Sequence, residues 1–240
     1  GATMSNRLGA RALLIGGAIA TLPDLDALIP MGNAIDTMTY HRGFSHSVLV
    51  QTVVAPIAVY GVTRIVRDAA QHWWMLLFTS WLCLVTHSML DALTTYGTQI
   101  LWPLQVGPPV ALPAVFIIDP VFTGLLLAGV VSAWAMRRRR GLGLRANRIL
   151  LLLGVLYLGI GISAHAIVRA RAEADPRFDG TALHIQPAPF NILFWQVLGV
   201  DQTHYVTGLT SLLGACAITQ VSSHPRLGEV PGRFLASDSV

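Results

Sequence analysis

The chain has 240 residues, of which 53% are hydrophobic and only 12% charged, and its mean hydropathy is +0.59. A typical soluble domain carries roughly 25% charged residues, so this composition excludes an ordinary water-facing globule and favours lipid as the solvent. The net charge is +4, and all sixteen basic residues are arginines, most of them beside apolar runs. That distribution is typical of membrane proteins and argues against nucleic acid as a partner.

Five apolar segments are predicted to cross the membrane as helices: residues 8–22, 47–66, 73–90, 120–136 and 149–168. The first is shorter than the roughly twenty residues that cross the hydrocarbon core. The third opens with Trp73 and Trp74, a pair suited to the membrane interface, and the fourth ends at a run of four arginines. The sequence therefore predicts a polytopic, mainly helical membrane protein with about five spans.

The arginines orient these spans. Two precede the first span, two join the second to the third, and six join the fourth to the fifth, whereas the opposite loops contain only Arg42. Because short arginine-rich loops stay in the cytoplasm, the N-terminus is predicted to lie inside and the chain after residue 168 outside. This predicts a multi-pass protein of the cytoplasmic membrane.

The chain after the last span differs in composition from the spans. Residues 181–187 and 192–200 carry β-branched and aromatic side chains, and Asp201 and Gln202 are suited to a turn into residues 205–207. We therefore expect two domains, a helical transmembrane domain over residues 1–168 and a small β-containing extracytoplasmic domain over residues 169–240. The residues from Ser222 onward are expected to be loose.

The predicted orientation gathers seven ionisable side chains on the outer side. They are Asp24, Asp26, His41, His46, His87, Asp91 and Asp119. Each lies in or at the end of an apolar segment, and ionisable groups at membrane depth are costly and mark functional sites. Imidazole and carboxylate groups on one face predict a metal site there, facing the periplasm or exterior.

Two pairs of these residues have spacings that suit a shared ion. Asp24 and Asp26 stand in a PDLD turn, where both carboxylates can face one ion, although Asp24 can equally cap a following helix. His87 and Asp91 are four residues apart and therefore lie on one helix face. The alternative for the second pair is a hydrogen bond in which Asp91 orients His87 instead of binding metal.

The HRGFSHS segment places His41 and His46 on either side of Gly43. The conformational freedom of glycine can fold this loop so that both rings converge on a metal. Alternatively, the two histidines are an interfacial pair satisfied by the backbone. Ser45 is expected to cap the next helix, which leaves His46 in its first turn.

Asp119 and Arg42 are the candidates for catalytic roles. Asp119 lies in an otherwise apolar run and is expected to position substrate, shuttle a proton or pair with a cation, or else to cap the fourth span. Arg42 can neutralise charge that develops on a phosphate. Mixed nitrogen and oxygen ligands suit Zn²⁺, with Mn²⁺ or Fe²⁺ as alternatives. Seven candidate ligands exceed one tetrahedral ion, so one or two ions are expected.

The motifs PDLD, HRGFSHS and THSMLDALTTYGTQ resemble bacterial inner-membrane proteins described as metal-dependent hydrolases, a family also described as LexA-binding or LexA-regulated. The resemblance covers about residues 7–120. A weaker one, in PAPFN with Trp195 and Tyr205, extends to the outer C-terminal domain of that family. The resemblance implies an inner-membrane location and a set of metal ligands at Asp24, Asp26, His41, His46, His87 and Asp91.

These observations predict a membrane-embedded hydrolase that uses a metal at the outer face of the membrane. A site at the lipid–water boundary favours membrane lipids as partners and an amphiphilic phosphoester or other lipid-linked substrate. One alternative is a non-enzymatic scaffold or regulatory protein with a structural metal. A metal or proton transporter is a weaker alternative, because almost no polar residues continue inward beneath the outer cluster.

Overall fold

The computed structural model describes residues 11–29, 42–104, 107–136, 139–213 and 217–225. The chain divides into two compact units. The first comprises Gly1–Leu112 and Leu125–Leu152, and the second comprises Pro113–Gly124 and Leu153–Val240. The protein is mainly helical and carries a small antiparallel sheet near its C-terminus, as the sequence predicts.

The described residues contain α1 (Arg11–Ala20), α2 (Val48–Ile65), α3 (Trp73–Ala92), α4 (Pro120–Ala135) and α5 (Arg140–Glu173). Short 3₁₀ helices occupy Pro23–Leu28, Phe44–His46, Arg67–His72 and Pro176–Phe178. The bounds of α2 and α3 agree with the predicted spans to within two residues. Helix α5 has 34 residues, about 51 Å at 1.5 Å per residue, so it is much longer than the predicted fifth span.

Three of the described helices are long and apolar enough to cross a membrane. They are α2, α3 with the turn before it, and α5, whereas α4 has 16 residues. Large apolar side chains on these helices point outward: Val53, Ile57, Trp74, Phe78 and Leu152 are each more than 60% exposed. Such a surface is unfavourable in water and matches the hydrocarbon core of a bilayer.

The core of the first unit lies between its first three helices. Ile19, Ala55 and Leu84 form one buried cluster, and small residues such as Ala55 let neighbouring helices approach closely. Near the start of α2, the buried Gln51 side chain donates to the Ser45 carbonyl at 3.0 Å and to the Ser88 hydroxyl at 2.6 Å. These bonds fasten the turn before α2 to the last turns of α3.

The chain after α3 folds back toward the start of α2. The Val48 N–H donates to the Ile100 carbonyl at 2.9 Å, and the Leu112 N–H donates to the Ala92 carbonyl at 2.7 Å. An isolated bridge pairs Thr98 with Val110. This loop therefore has a fixed position beside the ends of both helices.

The second unit contains an antiparallel meander of β1 (Ala182–Pro187), β2 (Phe194–Val200), β3 (His204–Ser211) and β4 (Thr219–Pro225). Its core joins Ala164, Val168 and Ala172 of α5 to Phe178 and Trp195. The expectation that residues from Ser222 onward are loose is wrong for Ser222–Pro225, because β4 pairs with β3 there. The sequence signal was weak, since almost all of β4 is exposed and lacks alternation.

Candidate metal centre

The 3₁₀ helix after α1 gives Asp24 and Asp26 different surroundings. Pro23 starts this helix, and its fixed φ suits a first helical position. With about three residues per turn, side chains two positions apart point in different directions. The side chain of Asp24 is 52% exposed, whereas Asp26 is buried.

The turn before α2 depends on an uncommon backbone conformation at Arg42. The sequence assigns the flexible position to Gly43, but it is Arg42 that has a positive φ of 66°. The Arg42 N–H donates to Asp26 Oδ2 at 3.3 Å, and the Arg42 carbonyl accepts from the Gln99 N–H at 3.1 Å. These bonds hold the turn that buries His46 completely.

Ser45 does not form the predicted helix cap. Helix α2 starts at Val48, and the preceding Ser47 donates its hydroxyl to the Trp102 carbonyl at 2.5 Å. Instead, Ser45 Oγ donates to Asp26 Oδ2 at 2.5 Å and lies 2.9 Å from His46 Nδ1. Since its proton is directed to the carboxylate, Ser45 accepts the Nδ1 proton of His46. This contact holds the proton on Nδ1, so Nε2, which faces Asp91 Oδ2 at 3.0 Å, is the nitrogen that would bind a metal.

Helix α3 carries His87 and Asp91 one turn apart on one face, as their spacing predicts. His87 Nε2 lies 3.6 Å from Asp91 Oδ2, and both residues belong to the last two turns of the helix. These turns adjoin the start of α2 through the Gln51–Ser88 bond. The His87 and Asp91 side chains are 22% and 16% exposed, so they can be reached from outside.

Four side chains from three segments converge here: Asp24, His46, His87 and Asp91, with one ligand atom of each within 4.8 Å of the others. His46 Nε2 is 3.0 Å from Asp91 Oδ2 and 3.6 Å from Asp24 Oδ1. His87 Nε2 is 3.2 Å from Asp24 Oδ1. In a tetrahedral zinc site with bonds of about 2.0–2.1 Å, neighbouring ligand atoms are about 3.3–3.4 Å apart. The observed spacings therefore fit a single divalent ion.

The second oxygen of Asp91 faces a buried arginine. The Arg42 guanidinium lies 3.5 Å from Asp91 Oδ1 and donates to Thr94 Oγ1 at 2.9 Å. It also lies over the Tyr96 ring, 5.6 Å from the centroid. Arg42 thus fixes the Asp91 carboxylate so that Oδ2 points at the histidines. Two carboxylates facing two imidazoles form a donor set that a divalent cation would neutralise.

The sequence also predicts His41 and Asp26 as ligands. His41 is outside the described residues. Asp26 is not among the four converging groups, and its Oδ2 accepts from Ser45 and from the Arg42 amide. Its described contacts thus place Asp26 next to Ser45, on the Nδ1 side of the His46 ring, whereas the converging groups lie near Nε2.

Asp119 belongs to the second unit and has the geometry of the predicted alternative, a helix cap. Its Oδ1 accepts from the N–H groups of Val121 and Phe122, at 2.9 Å each, at the start of α4. Its Oδ2 accepts from the Tyr157 hydroxyl at 2.8 Å. Both oxygens are therefore engaged within the fold. In the same unit, the buried His165 packs edge-on against Trp195.

The sequence pattern of the family described as YdjM inner membrane protein matches residues 1–168. The chain belongs to this family. A relative from Escherichia coli (strain K12), described as inner membrane protein YbcI, is 38% identical over 96 residues, which are 39% of this chain and 54% of that protein. The chain thus spans about half the length of this curated relative. No solved structure matches the chain significantly.

Membership of the YdjM family, together with the apolar helices, gives the chain an inner-membrane location. The family name describes a location and no reaction. Sequence analysis missed the supporting residues Gln51, Ser88 and Thr94. A signal was present for Gln51, because a glutamine inside an otherwise apolar span needs a hydrogen-bond partner.

Proposed function

We propose that this protein is a metal-dependent hydrolase of the inner membrane, with one ion held by Asp24, His46, His87 and Asp91. The observation that carries the proposal is the convergence of two imidazole nitrogens and two carboxylate oxygens within 4.8 Å of one another, with nitrogen-to-oxygen distances of 3.0–3.6 Å. This donor set suits Zn²⁺, with Mn²⁺ or Fe²⁺ as alternatives. When bound, such an ion supplies Lewis acidity to an ester or phosphoester and makes water more acidic.

Other features of the site would be supplied by the residues around the ion. Ser45 and Asp26 hold the ring of His46, and the exposed Asp24 carboxylate is the ligand most easily displaced or shared with a substrate. Arg42 adds a fixed positive charge next to Asp91, which favours an anionic substrate. Asp119 receives no catalytic role in this proposal, because the α4 cap and Tyr157 engage both of its oxygens.

The arginine distribution favours an outer location for this site. Under the predicted orientation, the end of α3 and the start of α2 face the periplasm or exterior. Amphiphilic molecules concentrate at that boundary, so a phosphoester of the lipid headgroup region or another lipid-linked substrate is the expected class.

Metal analysis and hydrolysis measured on one preparation test the proposal. Purified protein should contain about one divalent ion per chain, as expected for a single four-ligand site, and should hydrolyse a phosphomonoester or a phospholipid. His87→Ala should lose both the ion and the activity. His184→Ala, which changes an exposed histidine of β1, should keep both. A protein without metal, or with hydrolysis unaffected by His87→Ala, would contradict the assignment.

One observation favours the alternative of a structural metal in a regulatory or scaffolding protein. Four protein ligands complete a tetrahedral zinc site, as in structural sites, whereas catalytic zinc keeps a position open. The absorption spectrum of the Co²⁺-substituted protein separates the two. Inorganic phosphate should change the spectrum if a position opens to substrate, and it should leave a closed structural site unchanged.

A further inference from the structure

A group of exposed apolar side chains lies next to the metal centre. Phe44 comes two residues before His46, and Leu101, Trp102 and Leu104 lie on the loop after α3. Their exposed fractions are 38–57%. The Phe44 and Trp102 rings meet edge to face, with centroids 6.3 Å apart. We refer to Phe44, Leu101, Trp102 and Leu104 as the apolar rim.

The rim is fastened to the outer end of a spanning helix under the predicted orientation. The Ser47 hydroxyl donates to the Trp102 carbonyl, and the Val48 N–H donates to the Ile100 carbonyl, so the loop is bonded to the first turn of α2. Further along α2, Leu49 and Val53 share one face and are exposed. Exposed apolar side chains are therefore found both on α2 and on the loop bonded to its first turn, and tryptophan is enriched at membrane interfaces.

We propose that the apolar rim inserts into the lipid leaflet and admits substrate to the metal centre sideways from the bilayer. The occupant of the rim is then the acyl or prenyl chain of a lipid, and the substrate class is a long-chain phosphoester. The assignment of a reacting substrate rests on the proposed function, whereas the insertion does not. Because Phe44 of the rim and His46 lie on the same short turn, a lipid against Phe44 has its headgroup beside the cluster that Arg42 borders.

Insertion can be measured without any activity. In a full-length variant that lacks Cys83 and Cys216, a fluorophore is attached to a single cysteine introduced at Leu101. The protein is reconstituted in vesicles of phosphatidylethanolamine and phosphatidylglycerol. Lipids with a quencher near the headgroup should quench this label strongly, and aqueous iodide should quench it weakly. A matched label at Gln202, exposed in the β2–β3 turn, should show the reverse. Equal access of iodide to both labels would overturn the insertion.

Chain-length dependence tests the route of the substrate. Leu101→Ser combined with Leu104→Ser should lower hydrolysis of a long-chain phosphatidic acid by about tenfold, since burial of even one leucine is worth roughly that factor. Hydrolysis of a short-chain, water-soluble phosphatidic acid should barely change. Leu213→Ser, at another exposed leucine, is the control.

The two proposals fail separately. If neither phosphatidic acid is hydrolysed while the Leu101 label is quenched from the lipid, the hydrolase assignment falls and the membrane contact stands. If both substrates lose activity equally in the double variant, lateral entry through the rim is wrong and the hydrolase assignment stands.

Discussion

The candidate metal centre depends on the orientation of a single buried ring. His46 is inaccessible to solvent, and its Nε2 lies 3.0 Å from Asp91 Oδ2. A histidine binds metal through one nitrogen only while the other keeps its proton, and the partner of that proton decides which nitrogen is free. Ser45 accepts this proton and is itself held by Asp26.

Ser45→Ala should therefore weaken metal binding without removing a ligand. Loss of such a supporting hydrogen bond typically lowers metal affinity about 10- to 100-fold. Competition with a chromophoric chelator measures the change. Ser45→Thr should restore most of the affinity, because it retains the hydroxyl. Thr86→Ala should have no effect, because the bonds described for this hydroxyl go to carbonyls within α3. Equal affinities for Ser45→Ala and the wild type would contradict the role of Ser45.

For single residues, the sequence predicts which residue types meet better than it predicts how each side chain is oriented. The expectation that histidines and aspartates meet on one side came from the arginine distribution, and the structure brings four of them together. Which carboxylate of the PDLD turn faces the cluster depends on the local 3₁₀ geometry. The HRGFSHS motif likewise does not reveal that Arg42 takes the left-handed conformation.

The helices are held together by a few polar bonds and by close backbone approach. Gln51 joins the turn before α2 to α3, and Gly161 of α5 lies against the backbone of Ala114 in the second unit. The apolar pattern of a span predicts its length but not these contacts. Helix α5 exceeds its predicted bounds at both ends, because the arginines that flank the apolar run continue the helix.

Gln51→Leu should loosen the junction of α2 and α3. Two donated hydrogen bonds are lost, and interhelical hydrogen bonds in membranes are worth about 0.6 kcal/mol on average. We expect a loss of about 1 kcal/mol in the free energy of unfolding, measured by thermal denaturation in detergent. Thr63→Ala is the control, because the bond described for this hydroxyl goes to the Tyr60 carbonyl of its own helix. Equal melting temperatures for the two variants would show that the junction does not depend on Gln51.

Two glycines of α5 offer a matched pair. A methyl group at Gly161 would overlap the Ala114 carbonyl, whereas one at Gly159 meets no atom within 4 Å. Overpacking of this kind costs about 1–3 kcal/mol, so Gly161→Ala should lower the melting temperature. Gly159→Ala should be neutral or slightly stabilising, because alanine favours the helix. An unchanged melting temperature for Gly161→Ala would show that α5 can move away from the segment around Ala114 at little cost in free energy.

For the protein as a whole, composition and charge predict the order of helices and strands. The apolar runs predict where α2, α3 and α4 begin and end, and the β-branched tail predicts the sheet. The sequence does not predict strand β4, because its side chains are exposed and it is stabilised by pairing with β3. The orientation of the spans rests on arginine alone.

Reporter fusions test that orientation. Alkaline phosphatase, which is active only outside the cytoplasm, should be active when fused after Phe178 and inactive when fused after Arg139. The reason is that the six arginines between the predicted fourth and fifth spans favour the cytoplasmic side. Activity at both positions, or the reverse pattern, would move the histidine and aspartate cluster to the cytoplasmic side.

The ligands of the proposed ion come from separate stretches of the chain. Asp24 follows α1, His46 precedes α2, and His87 and Asp91 end α3. An ion held by all four would cross-link three helices at one end, so its binding energy would also be energy of assembly. The supply of that ion would then govern the lifetime of the protein in the bilayer. Depletion of the ion would first destabilise the folded protein.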